Sequence, residues 1–248
     1  PQNPSCRPVL HNDIRRISYN MLALISDIHA NLPALEAVLE HAKTKGVTEF
    51  LCLGDVVGYN GEPEECVQLL KAEGIRNILG NHDSYITTGQ NCQRSTVVAS
   101  IIERHVQELS DESVAWLRKS LDHVADGATL FVHGGPNDHV DEYLYEVGVE
   151  TFPPGVTRLF AGHTHVQCVH DFGTHIFCNP GSVGQPRDGD PRAAYAILDG
   201  AEILLQRVEY DVSKTVQAMK SRGYEEFMYR GLWEGAQING RISRIAKL

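Results

Sequence analysis

The chain has 248 residues, and its hydrophobic fraction of 42% and charged fraction of 22% are those of an ordinary globular protein. Acidic residues outnumber basic ones by 32 to 22, and the formal net charge of −10 argues against a surface that coats nucleic acid. No run approaches the roughly 20 apolar residues that span a bilayer, so we expect no membrane segment. The six cysteines form no Cys-x-x-Cys pair, which favours reduced thiols in a cytoplasmic protein.

The first 20 residues lack the apolar core of a secretory signal, and Met21 directly precedes the first predicted strand. We therefore expect Met21 to be the natural start and residues 1–20 to be an N-terminal extension or a cloning remnant. No internal repeat, low-complexity tract or linker follows Met21. Residues 21–248 are accordingly predicted to form a single domain.

The first part of the chain alternates between strands and helices. A short apolar run from Leu22 predicts a buried strand, and Asn31 can cap the helix that follows. A second strand is predicted at 49–53, Pro63 opens the next helix, and a third strand covers 75–79. Three successive strand–loop–helix units predict a parallel sheet.

The second part of the chain is more varied. A helix is predicted at 95–109, and a second helix begins at the capping residue Ser110. A fourth strand covers 128–132, and the acidic, tyrosine-rich segment 136–154 is predicted to be a functional loop or lid. The remaining predicted elements are a hairpin of residues 166–169 and 175–178, a loop rich in glycine and proline at 179–187, strands at 193–198 and 202–208, and a helix at 212–229.

Side chains of the metal-ligand type follow the predicted strands. Asp27 and His29, at positions i and i+2, can converge on one cation through a carboxylate oxygen and an imidazole nitrogen. Such a pair alone is more often a turn carboxylate near a surface histidine, so a metal site requires further ligands from the rest of the chain. The polar residues found at strand ends are Asp27, His29, Asp55, Asn81, His82, His133, His163 and His165. Open α/β sheets bind their ligands at this end of the strands.

The order of these blocks is Asp-x-His, Gly-Asp, Gly-Asn-His-Asp, His-Gly and Gly-His-x-His, and it resembles the calcineurin-like metallophosphoesterases. The blocks run from Asp27 to His165, and the flanking pattern extends the resemblance across most of residues 21–210. The resemblance implies an α/β fold, a β-sandwich of two mixed sheets flanked by helices in α-β-β-α layers. The second block, residues 54–60, lacks the second Asp and the Arg of the phosphoprotein phosphatases. This departure favours the smaller bacterial and archaeal phosphodiesterase-like branch.

The resemblance also implies a centre of two divalent cations, which clamp a phosphoryl group when they lie about 3.5–4 Å apart. Asp55 would bridge the two cations. By the same resemblance, one cation is bound by Asp27, His29 and His165, and the other by Asn81, His133 and His163. Donors without thiolate suit manganese, iron or zinc, and the sequence does not choose among them.

Three catalytic assignments follow from the resemblance. The nucleophile would be a hydroxide that bridges the two metals, and Asn81 and His82 would contact the phosphate. His82 can also protonate the leaving oxygen, a role that suits an imidazole. Arg187 is a candidate phosphate ligand on its glycine-rich loop, and a surface arginine in a turn is the equally plain alternative.

Other residues have an ordinary structural interpretation. His105 is expected to pack on its helix rather than to bind a ligand. His139 is a less favoured candidate for a residue that faces the substrate. Tyr59, Tyr143 and Tyr145 could stack on a nucleobase, although tyrosines at the edge of a lid are common.

The resulting prediction is a metal-dependent phosphoesterase that acts on a small phosphodiester or nucleotide-like substrate. The alternatives are a dinucleoside polyphosphate hydrolase, a phosphomonoesterase, and a non-catalytic scaffold that keeps the fold for protein binding. All the expected ligand positions are filled, which weighs against the scaffold. Neither the physiological substrate nor the oligomeric state can be read from the sequence.

Overall fold

The computed structural model describes residues 21–248, so the predictions for residues 1–20 lie outside the described part of the chain. The strands are β1 (Leu22–Ile25), β2 (Glu49–Cys52), β3 (Arg76–Asn77), β4 (Val124–Asp126), β5 (Thr129–Val132), β6 (Glu146–Val147), β7 (Arg158–Ala161), β8 (Cys168–Asp171), β9 (Ile176–Asn179), β10 (Ala193–Asp199), β11 (Glu202–Val208) and β12 (Ala246–Lys247). The helices are α1 (Leu32–Thr44), α2 (Pro63–Ala72), α3 (Asn81–Thr88), α4 (Thr96–Glu108), α5 (Asp111–Leu117), α6 (Val212–Ser221) and α7 (Glu226–Tyr229).

Two five-stranded sheets form the centre of the fold, and both are mixed. The first has the order β11-β10-β1-β2-β3, in which β1, β2 and β3 run parallel and β10 runs antiparallel to β1. The second has the order β4-β5-β7-β9-β8, in which β5, β7 and β9 run parallel. The predicted fold class, two mixed sheets flanked by helices, is confirmed.

The alternation of side chains along β1 separates two buried layers. Leu22 and Leu24 point to the space between the sheets, where Phe131 and Phe160 of the second sheet stack with ring centroids 4.8 Å apart. Ala23 and Ile25 belong instead to the cluster under helices α1 and α2, whose members include Ala34, Leu35, Val38, Val67 and Leu70. The first sheet is therefore buried on both faces, which rigidly supports the loops at its carboxyl edge.

Some predicted boundaries are wrong. The third strand, predicted at 75–79, contains only two residues, because Ile78 pairs with Leu121 in an isolated bridge. The predicted helix 212–229 is broken at Gly223, whose φ of +76° does not continue a helix. Strand β4 was not predicted, and the 136–154 segment contains β6, which pairs with β12.

Among residues 21–248, no helix is both long and apolar enough to cross a membrane.

Candidate metal centre

Five loops at the carboxyl ends of the parallel strands meet at one edge of the sandwich. The first sheet contributes the loops after β1, β2 and β3, and the second contributes those after β5 and β7. The structure brings all seven predicted ligands together here, and none is more than 4% exposed: Asp27, His29, Asp55, Asn81, His133, His163 and His165. A buried polar group needs a partner, so this concentration requires a chemical explanation.

One group of ligand atoms contains Asp27, His29 and His165. The Nε2 atoms of His29 and His165 are 3.0 Å apart, and His165 Nε2 lies 3.2 Å from Asp27 Oδ1. The other carboxylate oxygen, Asp27 Oδ2, accepts a hydrogen bond from the backbone N–H of His163 at 3.0 Å. Oδ1 is buried and has no hydrogen-bond partner, so it is available to a cation.

A second group contains His133, His163 and Asn81. His133 Nε2 lies 3.1 Å from His163 Nδ1 and 3.3 Å from Asn81 Oδ1. Asp55 lies between the two groups, because its Oδ2 is 3.6 Å from His29 Nε2 and 3.4 Å from His133 Nε2. The nitrogen and oxygen donors fit divalent manganese, iron or zinc, and no thiolate is among them.

Backbone carbonyls fix the orientation of three of the imidazoles. His29 Nδ1 lies 2.8 Å from the carbonyl of Val57, and His133 Nδ1 lies 2.9 Å from that of Leu53. His165 Nδ1 lies 2.6 Å from the carbonyl of Gln185. A carbonyl only accepts, so each Nδ1 donates, and Nε2 is the ring nitrogen that faces the centre. These contacts prepare the rings to bind a cation.

The backbone of these loops is strained. Eight non-glycine residues among residues 21–248 have positive φ, and five of them are predicted ligands: Asp27, His29, Asp55, His163 and His165. Ala30 and Tyr59, which flank the ligands, bring the number in the same loops to seven. A left-handed residue other than glycine costs roughly 1–2 kcal/mol. Such strain is typical of functional sites, where the surrounding fold enforces it.

A carboxylate that sequence reasoning missed holds one of these loops. Asp83 Oδ2 accepts from the backbone N–H of Asp55 at 3.0 Å, and Oδ1 accepts from Val56 at 3.0 Å. Asn77, at the end of β3, donates to the same carboxylate at 3.1 Å. Asp83 is the last residue of the Gly-Asn-His-Asp block, so its position was visible, but its role depends on contacts 28 residues away in the chain.

Burial and neighbouring charges keep most of the centre ready for cations. Burial alone would raise the pKa of Asp55, but the imidazoles of His133 and His82 lower it well below its usual range. Burial lowers the pKa of His29 and of His163, so both imidazoles are neutral at pH 7. His133 differs, because the carboxylate of Asp55 outweighs burial and raises its pKa to about 9.

His82 lies beside the ligands rather than among them. Its backbone N–H donates to Asp55 Oδ1 at 2.9 Å, and its ring centroid is 4.8 Å from that of His29. Its Nδ1 is buried without a partner, and a Cβ on Gly58 would lie only 2.1 Å from that atom. Burial lowers the pKa of His82 to about 4, so its free imidazole is neutral at pH 7. The geometry places a titratable ring against the carboxylate of Asp55.

Arg187 is buried, at 7% exposure, so the interpretation as a surface arginine is wrong. Its Nη2 donates to Gln185 Oε1 at 3.0 Å, and the guanidinium lies 5.1 Å from the ring centroid of Tyr59. Among residues 21–248, no carboxylate lies within 4 Å of the guanidinium, and its Nε is a buried donor without a partner. A buried cation in this state favours an anionic ligand.

The 136–154 segment approaches the centre through its tyrosines. The ring of Tyr143 lies 3.8 Å from that of His163, and Tyr145 stacks on Tyr143 at 5.6 Å. The carboxylate of Asp141 pairs with Arg94 at 2.5 Å and lies 3.5 Å from His163 Nε2. The segment therefore covers one side of the metal centre.

His105 packs against the loop that follows β2, in agreement with its structural interpretation. Its Nδ1 accepts from the backbone N–H of Gly58 at 3.1 Å, and its Nε2 donates to the carbonyl of Asn60 at 2.9 Å. Both contacts brace the segment that carries Tyr59.

Comparison with known proteins identifies the family. The model of the calcineurin-like phosphoesterase superfamily domain matches residues 21–202, well over half of the chain. The chain belongs to the calcineurin-like phosphoesterase superfamily. This membership confirms the resemblance and the assignment to the phosphoesterases, a class of hydrolases.

Similar proteins come from bacteria and archaea. The chain is 31% identical over 240 residues to an uncharacterised protein of Methanocaldococcus jannaschii, covering 87% of this chain and 98% of the relative. It is 30% identical over 183 residues to the phosphodiesterase YfcE of Escherichia coli K12, covering 72% and 86% of the two chains. The crystal structure of a metallophosphoesterase from Sphaerobacter thermophilus is similar with a TM-score of 0.75 and 33% identity, covering 87% of this chain and 99% of that one.

Proposed function

We propose that the protein is a metal-dependent phosphoesterase that uses two divalent cations to hydrolyse a small phosphodiester or nucleotide-like substrate. The observation that carries the proposal is the position of Asp55, whose Oδ2 lies 3.6 Å from His29 Nε2 and 3.4 Å from His133 Nε2. One carboxylate oxygen thus lies between two groups of donors. A bridging carboxylate would screen the repulsion between two close cations.

The two groups of donor atoms correspond to two proposed cation sites. Asp27, His29 and His165 would hold one cation, Asn81, His133 and His163 the other, and Asp55 both. Two such cations, manganese, iron or zinc, would supply Lewis acidity and activate water as the nucleophile. The unpaired donor of Arg187 supports a role in binding the phosphate oxygens, since its guanidinium lacks a carboxylate partner among residues 21–248.

His82 is proposed to contact the phosphate and to donate the proton that the leaving oxygen needs. Its free imidazole is neutral, so this role requires that the negative charge of a bound phosphate favours the protonated ring. Its ring lies 4.8 Å from that of His29, within the reach of a phosphate held at the centre. Asn81 would contribute its amide to the same phosphate.

Phosphodiester substrates are favoured by the similarity to YfcE, which is described as a phosphodiesterase. The exposed Tyr143 beside the metal centre offers a surface for an aromatic group of the substrate, such as a nucleobase. A phosphomonoester or a dinucleoside polyphosphate would use the same cations. A non-catalytic scaffold has no need of seven buried ligands or of a buried Arg187 whose Nε has no partner.

A cytoplasmic location is also proposed. The five cysteines within the described residues are all free thiols. Three of them, Cys52, Cys66 and Cys178, are buried, which raises their pKa well above the usual range and keeps them unreactive. Reduced, inert thiols are typical of proteins in a reducing compartment.

The decisive experiment replaces Asp55 with Asn. Hydrolysis of bis-nitrophenyl phosphate in the presence of Mn²⁺ should fall to the background rate, because a neutral amide no longer screens two cations. Elemental analysis after dialysis should give less bound metal per chain than in the wild type. Circular dichroism should be unchanged, since Asn tolerates the left-handed backbone at this position.

Asp199→Asn is the matched control, because Asp199 is exposed and ends strand β10 far from the ligands. It should keep wild-type activity and metal content. Unchanged turnover in Asp55→Asn would rule out the two-metal proposal.

A further inference from the structure

A second cluster of metal-ligand side chains lies on the surface. Asp122 and His123 precede β4, and His139 lies in the 136–154 segment. Asp122 Oδ2 is 2.7 Å from His123 Nδ1 and 2.7 Å from His139 Nδ1. All three residues offer ligand atoms within 4.8 Å of one another. None of them belongs to the proposed catalytic centre.

The arrangement of the rings matches that inside the metal centre. The centroids of His123 and His139 are 4.7 Å apart with an interplanar angle of 59°. For His133 and His163 the corresponding values are 4.9 Å and 60°. In both places two imidazoles converge beside one aspartate oxygen, so the surface cluster has the donor spacing of a cation site.

The charge of the surface cluster also favours a cation. Within residues 21–248, Asp122 has no lysine or arginine within 4 Å, and the two histidines are its only basic partners. The Asp122 side chain is 66% exposed and that of His123 41%, which leaves room for water to complete the coordination shell. The net charge of −10 raises the local concentration of cations at an acidic surface.

We propose that Asp122, His123 and His139 form a separate site for a borderline divalent metal ion, Zn²⁺ being the best match. Two imidazole nitrogens and one carboxylate oxygen, with water as the fourth ligand, are a donor set that zinc accepts in tetrahedral geometry. The metal would replace the imidazole protons that now point to Asp122. Because the ligands come from an exposed surface, the site would exchange its metal with the solvent.

The position of His139 gives this site a structural consequence. The carbonyl of His139 accepts from the backbone N–H of Gly134 at 2.7 Å, next to His133 of the metal centre. A few residues along the same segment, the ring of Tyr143 lies 3.8 Å from that of His163. A metal bound to residues 122, 123 and 139 therefore restrains the 136–154 segment where it covers the centre.

The test counts metal on the intact protein. Wild type and the variants His123→Asn and Asp122→Asn are loaded with Mn²⁺, dialysed to equilibrium against Zn²⁺ at a micromolar concentration, and analysed for total manganese plus zinc per chain. Each variant should hold one equivalent fewer than the wild type. Total metal is counted, so exchange of manganese for zinc at the catalytic centre does not disturb the difference.

His175→Asn is the control, because His175 is a half-exposed histidine outside the metal-binding groups. It should bind as much metal as the wild type. Equal metal content in all four proteins would overturn the site and leave the cluster as a set of surface hydrogen bonds. A loss in the control as large as in the variants would also overturn it, since the zinc would then bind scattered histidines.

Hydrogen exchange tests the restraint separately. Zn²⁺ should slow amide exchange in residues 134–145 of the wild type and leave that of His123→Asn unchanged. Equal exchange with and without Zn²⁺ in a wild type that binds the extra equivalent would overturn the restraint. Activity of Asp55→Asn bears only on the catalytic centre, so failure of that proposal and failure of this one are distinguishable.

Discussion

The metal centre and the surface cluster both hold paired imidazoles beside an aspartate oxygen, with ring centroids 4.9 and 4.7 Å apart. Their surroundings differ. In the centre, the far nitrogens of three histidines donate to backbone carbonyls, and the ligand loops have a left-handed backbone. At the surface, the carboxylate of Asp122 is 66% exposed. The comparison teaches that the two places share donor types and spacing, whereas only the centre has the buried and braced surroundings that catalysis needs.

The largest difference is expected from removing an imidazole at each place. His82→Ala should lower kcat by about 10²–10⁴-fold, the range for a general acid, and should keep its metal. His123→Ala should leave kcat unchanged. Steady-state kinetics with a nitrophenyl ester and with an alkyl ester check the role, because an activated leaving group needs less protonation. Equal losses for both esters would assign His82 to phosphate binding instead.

A glycine substitution tests packing without removing a polar group. Gly58→Ala places a Cβ 2.1 Å from His82 Nδ1 and should lower kcat about 10²-fold by displacing the ring. Gly127→Ala, in the turn between β4 and β5, meets no atom within 4 Å. Both glycines have positive φ, so both variants pay the cost of a left-handed alanine, and Gly58→Ala loses more free energy of unfolding because its Cβ also clashes with the His82 ring. Equal kcat in the two variants would contradict the importance of this contact.

The next effect concerns the buried guanidinium. Arg187→Gln should reduce kcat/KM by about 10- to 100-fold, as the loss of a hydrogen bond to a charged group implies. Arg192→Gln is the control, since Arg192 is an exposed partner of Asp190. Metal content should be unchanged in both. A wild-type kcat/KM in Arg187→Gln would show that the phosphate lies elsewhere.

The effect that is smallest per step is the dependence of metal binding on pH, counted for each pH unit. His133 must lose its proton to bind a cation, and its pKa is raised from 6.5 to about 9 in the metal-free protein. Mn²⁺ affinity should therefore rise by up to about tenfold per pH unit between pH 7 and 9. The same shift stabilises the metal-free fold below pH 6.5 and is lost as the pH rises through 9. Calorimetric titration of His123→Asn with Mn²⁺ reports on the buried centre without the surface cluster. An Mn²⁺ affinity that does not change between pH 7 and 9 would contradict the raised pKa of His133.

Much of the centre could be predicted because its ligands follow strands that are visible in the sequence. Asp27 and Asp55 end apolar runs, and parallel strands bring such residues to one edge. The sequence did not decide whether the side chain of Arg187 is buried beside the centre or exposed in a turn. Its burial depends on Gln185 and Tyr59, and the contact with Tyr59 joins residues more than a hundred positions apart.

Other features depended on pairings that leave no local pattern. Strand β6 exists because Glu146 and Val147 pair with Ala246 and Lys247 near the end of the chain. The three backbone N–H groups of the loop after β2 that donate to Asp83 likewise come from distant residues. By contrast, the break at Gly223 had a signal, the glycine itself, which should have ended the predicted helix.

The left-handed residues of the centre also bear on how the protein could be engineered. An alanine scan of His29 or His165 would remove an imidazole but keep the unfavourable backbone, whereas glycine at the same position would relieve it. Glycine variants of the metal-free protein should thus unfold at a higher temperature than the corresponding alanine variants. A redesign that gives up catalysis could therefore stabilise the fold by relieving the strain in the ligand loops. Grafting the five motifs onto another scaffold would require a scaffold rigid enough to impose the same strain.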